Sequence, residues 1–497
     1  MHRLTRLLAA AIVGVLAPAA AAQSLLAAFE PDVTEFTLAN GMTFIVVERH
    51  DAPVVTFFTY ADVGSVDEPL GQTGVAHMFE HMAFKGTTTL GTRDLAAEQA
   101  ALRAEEAAYI RLRRAQTGGA PADTLAGYET RFVALRDTAK AFVDDAAFDA
   151  LLSRNGAVGM NATTSADRTA YFYSLPSNKV ELWFNTESDR FQNPVLREFY
   201  QERDVVMEER RLRTESNPVG RLVEEFLAAA FKAHPYGQPT VGHMSDLRAL
   251  SRTDAAAFFA RYYAASNLTV AIVGDVQPDS VRALAERYFG PLPAAPPPEA
   301  VRTVEPPQVG ERRVTIVDRA QPFVLVGYHR PSGRDADDAA YTVLADVLDA
   351  GRTSRFYRSL VEPGLAVGTQ MLNGFPGDKY PTLFGMLLVP APGVAPDSLE
   401  AAAGEVLDAI IEDGITPAEL SRAKTRARAG LIASLESGTG LAGALATARV
   451  LDGDWRAVFR QLDAIEAVSA ADVQRVAAAT FVPRNRTVAS IRTATDS

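Results

Sequence analysis

Apolar and polar positions alternate with a period of two in several short segments of the first half of the chain, which predicts β-strands. Two such segments flank Asn40-Gly41, a dipeptide typical of a tight turn, so residues 33–47 are predicted to form a β-hairpin. Further strands are predicted at 54–60, 159–164, 169–175 and 268–273. Helical spacing predicts helices at 180–189, 202–213 and 280–288. The pattern indicates an α+β fold.

The segment from Thr92 to about residue 149 has a different pattern. It is rich in Ala, Arg, Glu and Leu at helical spacing and is interrupted once, at Gly118-Gly119-Ala120-Pro121. We therefore predict a helical hairpin, inserted at about residues 92–149, with one face in solvent.

Composition narrows the class of protein. The chain has 497 residues, of which 47% are hydrophobic, as in ordinary globular proteins. A net charge of −12 gives no basic surface, so we expect no nucleic-acid partner. The chain has no Cys, which excludes disulfides, a thiolate nucleophile and a Cys-type zinc site.

The N-terminus has the pattern of a targeting segment. A basic start is followed by an apolar stretch and by Ala20-Ala21-Ala22, which predicts a cleavable signal peptide at residues 1–22. A mitochondrial presequence is the alternative. No later stretch has the length of a membrane span, so we expect a soluble protein without a stable membrane anchor, in a bacterial periplasm or secreted.

The most informative motif is His77-Met78-Phe79-Glu80-His81. Positions four apart lie on one face of a helix, so His77 and His81 can bind one metal ion, with Glu80 beside both. This inverted His-x-x-Glu-His order occurs in zinc peptidases, and zinc suits imidazole and carboxylate ligands. The alternative is a helix whose two His face solvent, but the flanking residues are apolar and indicate burial.

A hydrolytic zinc site needs a third protein ligand. Glu202 and Glu209 are seven positions apart on a predicted helix and share a face, so one can bind the metal while the other orients a His. The spacing does not say which. A charged helix that pairs with its own arginines is the alternative.

The second half repeats the plan of the first after a Pro-rich linker at residues 293–306. Residues 23–292 form the predicted metal-binding domain, and residues 307–497 the second domain, where strands at 313–317 and 323–329 precede a helix at 337–350. Alignment of Gly351 with Gly86 pairs the metal motif with three residues that do not repeat it: Thr342, Ala345 and Asp346. Two unrelated halves are the alternative.

These motifs resemble the insulysin–pitrilysin family of zinc peptidases, and in particular its short branch, which includes mitochondrial processing peptidase. The matching segments run nearly from end to end: 74–87, 161–163, 202–209, 234–237, 274–275, 354–357 and 364–366. The resemblance implies two homologous halves, each a mixed, largely antiparallel sheet packed with helices, that together form one half of a clamshell.

The resemblance also implies roles for residues. Glu209 would be the third ligand of one Zn²⁺ per chain, which leaves Glu202 to orient a His. Glu80 would act as the general base. Asn161, Ala162 and Thr163 would form the strand edge to which a peptide substrate adds.

Two features depart from the family pattern. The interval between His81 and Glu209 is longer than usual, which the helical insertion explains. Family members also carry an Arg and a Tyr, seven residues apart, in a later domain, whereas this chain has Leu360 and Val367 there.

The resemblance implies an exported zinc metalloendopeptidase that cleaves peptides or small unfolded proteins. Because the Arg/Tyr pair is absent, we expect a heterodimer with a homologous, zinc-free subunit that supplies it; a homodimer is the alternative. The competing function is that of a non-catalytic assembly subunit that retains zinc.

Overall fold

The structure is a computed structural model that describes residues 25–494. The predicted signal peptide lies outside the described residues. The strands in the described range are β1 (Val33–Thr37), β2 (Thr43–Glu48), β3 (Val54–Ala61), β4 (Val158–Thr164), β5 (Thr169–Pro176), β6 (Leu268–Gly274), β7 (Arg312–Asp318), β8 (Phe323–Arg330), β9 (Ala366–Phe375), β10 (Thr382–Pro390) and β11 (Arg486–Thr493).

The α-helices surround two sheets that these strands form. In the first half they are α1 (Val75–Met82), α2 (Leu95–Thr117), α3 (Ala122–Lys140), α4 (Ala147–Arg154), α5 (Val180–Gln192), α6 (Phe199–Arg210), α7 (Pro218–Ala230), α8 (Met244–Ala249), α9 (Arg252–Tyr262) and α10 (Pro278–Phe289). In the second half they are α11 (Asp338–Asp349), α12 (Pro396–Asp413), α13 (Pro417–Glu436), α14 (Gly438–Asp452), α15 (Ala457–Ala467) and α16 (Ala470–Thr480).

The two sheets share one topology. The first has the order β1-β2-β6-β3-β5-β4 and the second the order β7-β11-β8-β10-β9. Without β1 the orders correspond strand for strand, and each sheet has one parallel pair, β2 with β6 and β7 with β11. Helix α1 follows β3 as α11 follows β8. The prediction of an α+β fold with two homologous halves is confirmed.

Each sheet is covered by a helix from the other half. Leu441 and Leu445 of α14 pack on the first sheet against Ile45 and Phe58. In return, α7 packs its apolar face on β7, β8 and β11 of the second sheet. The approach is close, because a Cβ atom added to Gly327 would lie 2.5 Å from the Phe226 ring. The halves are therefore interlocked through their hydrophobic cores.

The inserted segment forms the predicted pair of helices, α2 and α3, with the break between Thr117 and Ala122. Asp94 caps α2, since its side chain accepts a hydrogen bond from the Ala97 N–H. Helix α4 begins at Ala147 and crosses the predicted end of the insertion, because its buried Phe148 and Leu152 belong to the main core.

The chain between Phe289 and Arg312 has neither helix nor strand, as its prolines predict. It is nevertheless anchored. The Glu305 carboxylate accepts hydrogen bonds from the backbone N–H groups of Lys232, Ala233 and His234 at 2.8, 2.8 and 3.0 Å. Among residues 25–494, none of the helices combines the length and the apolar character needed to cross a bilayer.

Candidate metal centre

Helix α1 is fixed at its N-terminus by a buried carboxylate. The Glu68 side chain accepts hydrogen bonds from the N–H groups of Gly74 and Ala76 at 2.7 and 2.8 Å. These are among the N–H groups that the first turn of a helix leaves without backbone partners. Gly74 permits the turn into the helix with a φ of +90°. The two bonds set the position from which the His-x-x-Glu-His residues project.

The two imidazoles of α1 converge on one carboxylate oxygen. His77 Nε2 lies 3.6 Å and His81 Nε2 3.5 Å from Oε2 of Glu209. Two ligand atoms about 2.0–2.1 Å from a tetrahedral zinc ion are about 3.4 Å apart, which is close to these separations. In the described part of the chain, His77, His81 and Glu209 form the one cluster of three or more His, Asp or Glu side chains with ligand atoms close enough to share an ion. The donor set fits zinc.

Helix α6 presents its two glutamates to different atoms. Glu202 Oε2 lies 3.3 Å from Nδ1 of His81, and Oε1 of the same carboxylate lies 2.5 Å from Lys85 Nζ. A proton on Nδ1 that is donated to Glu202 leaves the lone pair on Nε2, which faces Glu209. The geometry thus distinguishes Glu202, which contacts Nδ1 of His81, from Glu209, which faces Nε2.

Burial and nearby carboxylates give the two histidines different proton affinities. Burial lowers the pKa of His77 to about 3, so this ring is neutral, as a metal ligand must be. Burial also acts to lower the pKa of His81, but the hydrogen bond to Glu202 and the charges of Glu209 and Glu80 outweigh it and raise the pKa. Nδ1 of His77 is buried and has no hydrogen-bond partner among the described residues.

Glu80 lies beside this cluster in a partly buried position. Burial raises the pKa of its carboxyl group, and a hydrogen bond from Thr164 opposes the shift. Thr164 is the last residue of β4. The acid–base candidate, a residue of α1, therefore also contacts the edge strand β4.

The predicted substrate edge, Asn161-Ala162-Thr163, lies in β4 at the end of the first sheet. The side chains of Asn161 and Thr163 are exposed and that of Ala162 is buried. The backbone N–H of Ala162 donates to the Asn161 side chain at 2.9 Å. Within the range that the structure describes, β4 pairs with β5 alone, so its other edge has no strand partner.

The second half has a different chemistry at the corresponding helix. Asp346 of α11 forms a double hydrogen bond with the Arg426 guanidinium. Leu360 is fully buried in the second core, and Val367 is 64% exposed at the start of β9. The three residues opposite the metal motif lie in α11, as the sequence repeat predicts.

Four residues near the cluster were not singled out by the sequence motifs: Glu68, Lys85, Thr164 and Arg213. Glu68, Lys85 and Thr164 act through contacts that spacing does not encode. Glu68 precedes its helix by a loop, and Thr164 lies on a distant strand. Arg213 is one of the arginines that the alternative interpretation pairs with glutamates of their own helix, and that pairing does occur, with Glu209.

Two halves of this topology, with an inverted His-x-x-Glu-His helix and a distant glutamate, have the arrangement that is typical of inverted-motif zinc peptidases. A family model described as Insulinase (Peptidase family M16) matches residues 44–114 and 134–243, and one described as Peptidase M16 inactive domain matches residues 249–427. The chain belongs to this insulinase family. The gap in the first match, residues 115–133, covers the end of α2, the loop after it and more than half of α3.

Individual proteins of known sequence or structure are similar to most of this chain. The zinc protease PqqE of Helicobacter pylori is 26% identical over 426 residues, which cover 84% of this chain and 83% of that protein. A crystal structure of a protease from Helicobacter pylori matches with a TM-score of 0.77 and 25% identity, over 93% of this chain and 99% of that chain. The periplasmic protease PqqL from Escherichia coli shares the fold at 17% identity and a TM-score of 0.66, over 93% of this chain but 47% of that chain.

Proposed function

We propose that this protein is a zinc-dependent endopeptidase that cleaves peptides or small unfolded proteins. The observation that carries the proposal is the convergence of His77 Nε2 and His81 Nε2 on one oxygen of Glu209, with Glu80 alongside. Relatives over most of the chain length that are zinc proteases by name support the same class of activity.

In the proposed mechanism, His77, His81 and Glu209 hold one zinc ion. When bound, zinc supplies a Lewis acid that polarises the scissile carbonyl and makes water more acidic. Glu80 accepts the proton of the attacking water and delivers it to the leaving amine, the role of a general base and then a general acid. Burial favours the first of these transfers, since it raises the pKa of Glu80 and so makes its carboxylate a better proton acceptor.

The proposed substrate lies along β4 as an added strand. The free edge of β4 supports this, because Thr164 at its end contacts Glu80. A peptide carbonyl would replace the Asn161 side chain as acceptor for the Ala162 N–H. Backbone recognition of this kind selects extended chains over folded ones.

The test is cleavage of a peptide mixture by the purified protein, with products identified by mass spectrometry. Cleavage should be lost after zinc is removed with 1,10-phenanthroline and should return when zinc is restored. Cleavage that survives complete zinc removal would contradict the proposal. If the protein binds zinc but cleaves no peptide, even when a homologous zinc-free subunit is present, the result would favour a non-catalytic assembly subunit.

We also propose that the chain forms one half of a two-part chamber. The longer PqqL chain, of which this chain matches about half, supports such a pairing. Since Leu360 and Val367 occupy the positions of the family's Arg and Tyr, the partner we favour is a homologous, zinc-free subunit that carries them. Light scattering of the purified chain tests this: a stable homodimer with full activity would contradict the heterodimer.

Export from the cytoplasm is part of the proposal and rests on the N-terminal pattern. Cell fractionation followed by N-terminal sequencing should find the protein in the periplasm or medium, beginning near Gln23. A cytoplasmic protein that retains Met1 would contradict it.

A further inference from the structure

Arg213 contacts the oxygen of Glu209 that faces away from the histidines. Helix α6 continues after Arg210 as a π-helical turn, Arg211–Glu215, and Arg213 lies within it. Its guanidinium NH1 lies 2.9 Å from Oε1 of Glu209, with which it forms an ion pair. Turns of this kind inside α-helices occur frequently at functional sites.

The two oxygens of Glu209 are therefore assigned to different partners. Oε2 lies near Nε2 of both His77 and His81, and Oε1 is held by Arg213. The positive charge of the guanidinium attracts that oxygen and so competes with a metal ion for it.

The assignment matters because zinc in such sites is four-coordinate, and three protein ligand atoms leave one position for water or substrate. Two imidazoles and one carboxylate oxygen make three. If both oxygens of Glu209 bound, the protein would fill all four positions.

We propose that Arg213 is a positioning residue that restricts Glu209 to ligation through one oxygen and so keeps a coordination position open. The inference deepens the proposed function and rests on it. Arg213 acts through Glu209 and takes no part in proton transfer.

The location of Arg213 makes the inference testable without unfolding the protein. Its side chain is 73% exposed, whereas that of Glu209 is 17% exposed, so its truncation leaves no buried cavity. Arg211 is a matched control, since it lies in the same turn and donates to a neighbouring glutamate, Glu208, at 2.7 Å. That glutamate is 57% exposed and is not in the metal-ligand cluster.

The experiment replaces zinc by Co²⁺ and compares the visible absorption of the wild-type chain with that of Arg213→Ala, Arg213→Lys and Arg211→Ala. Arg213→Ala should show the weaker bands of a higher-coordinate ion and a fall in kcat of about 10- to 100-fold, with KM little changed. Arg213→Lys should restore most of both properties. Arg211→Ala should match the wild type.

Three results would count against the inference, and they are distinguishable. A wild-type chain that binds neither Co²⁺ nor Zn²⁺ would overturn the proposed function as well. An unchanged spectrum in Arg213→Ala, with a metal-bound wild type, would overturn the role of Arg213 alone. Loss of metal binding in Arg213→Ala would show that the arginine is needed for ligation itself, which contradicts a role in the mode of ligation.

Discussion

Hydrogen bonding at His81 distinguishes the two glutamates of α6. Its Nδ1 faces Glu202 and its Nε2 faces Glu209, so a single ring connects the orienting carboxylate to the ligand carboxylate. Since Lys85 also holds Glu202, the orientation of the ring depends on a chain of three side chains.

Replacement of Glu202 should therefore weaken zinc binding without removing a ligand. In Glu202→Gln the charged acceptor for His81 Nδ1 is lost, and the ring can adopt the wrong tautomer. We expect zinc affinity, measured by competition with a chromogenic chelator, to fall by about 10- to 100-fold. Glu208→Gln, which alters an exposed neighbour on the same helix, should leave affinity unchanged. Equal affinities for the two variants would contradict this role of Glu202.

Zinc uptake should follow the titration of one histidine rather than two. Binding requires neutral imidazoles, and His77, with a pKa of about 3, is already neutral in mildly acidic solution. The raised pKa of His81 means that this ring becomes protonated as pH falls through a value above 6.5. Below that value the affinity should fall by about tenfold per pH unit. Chelator competition between about pH 5.5 and 8 measures the slope; a hundredfold change per unit would contradict it.

The site could be predicted from sequence only where ligands lie close together along the chain. The spacing of His77, Glu80 and His81 on one helix face identifies the motif from local geometry alone. Glu209 lies beyond a long insertion, and the residues alone left it equivalent to Glu202. Glu68 and Thr164 depend on tertiary contacts, so no local pattern could have found them.

One buried ion pair contributes to the placement of α6 against α1. The Arg197 guanidinium donates to both oxygens of Glu98 on α2, at 2.7 and 3.2 Å, and neither side chain is exposed. It also donates to the backbone carbonyls of Lys85, Thr87 and Leu90, in the loop that leaves α1. Arg197 lies two residues before α6. It therefore connects the start of α6 to the loop after α1 and to the inserted helix α2.

Loss of this ion pair on one side should be costly. Arg197→Met leaves the buried carboxylate of Glu98 unpaired, and we expect the free energy of unfolding, from urea titration, to fall by about 3–5 kcal/mol. The double variant Arg197→Met/Glu98→Met removes both charges and should recover part of that loss. A double variant less stable than Arg197→Met would contradict the argument.

The elements themselves were predictable to differing degrees. Alternation and Asn40-Gly41 predict the β1–β2 hairpin, whose Phe36 and Phe44 pair in register. The helix predicted at 202–213 is α6 followed by a π-helical turn, a change of hydrogen-bond pattern that apolar spacing does not encode. Strand β11 pairs with β7 across the whole second domain, and no local signal gives such a partner.

At the scale of the whole molecule, the exchange of α7 and α14 makes each half incomplete alone. Without α14, the apolar face of the first sheet, which includes Ile45 and Phe58, would be exposed to solvent. The sequence boundary at the Pro-rich linker is therefore not a boundary between independent cores.

Residues 23–292 expressed alone should consequently aggregate or bind the dye ANS strongly, and should not retain zinc. Co-expression with residues 293–497 should restore a monodisperse, zinc-binding complex. As a control, a protease site placed near Ala294 in the full chain should allow cleavage of the linker without loss of zinc. A soluble, zinc-binding fragment 23–292 would contradict the interlock.

The central claim is that zinc held by His77, His81 and Glu209 supports peptide hydrolysis in which Glu80 moves the proton. The most direct measurement is the rate of peptide cleavage by the wild-type chain and by Glu80→Gln, each with its zinc content determined by mass spectrometry. We predict one zinc ion per chain in both proteins, and cleavage in the wild type that is essentially absent in Glu80→Gln. Substantial cleavage by zinc-loaded Glu80→Gln would contradict the account.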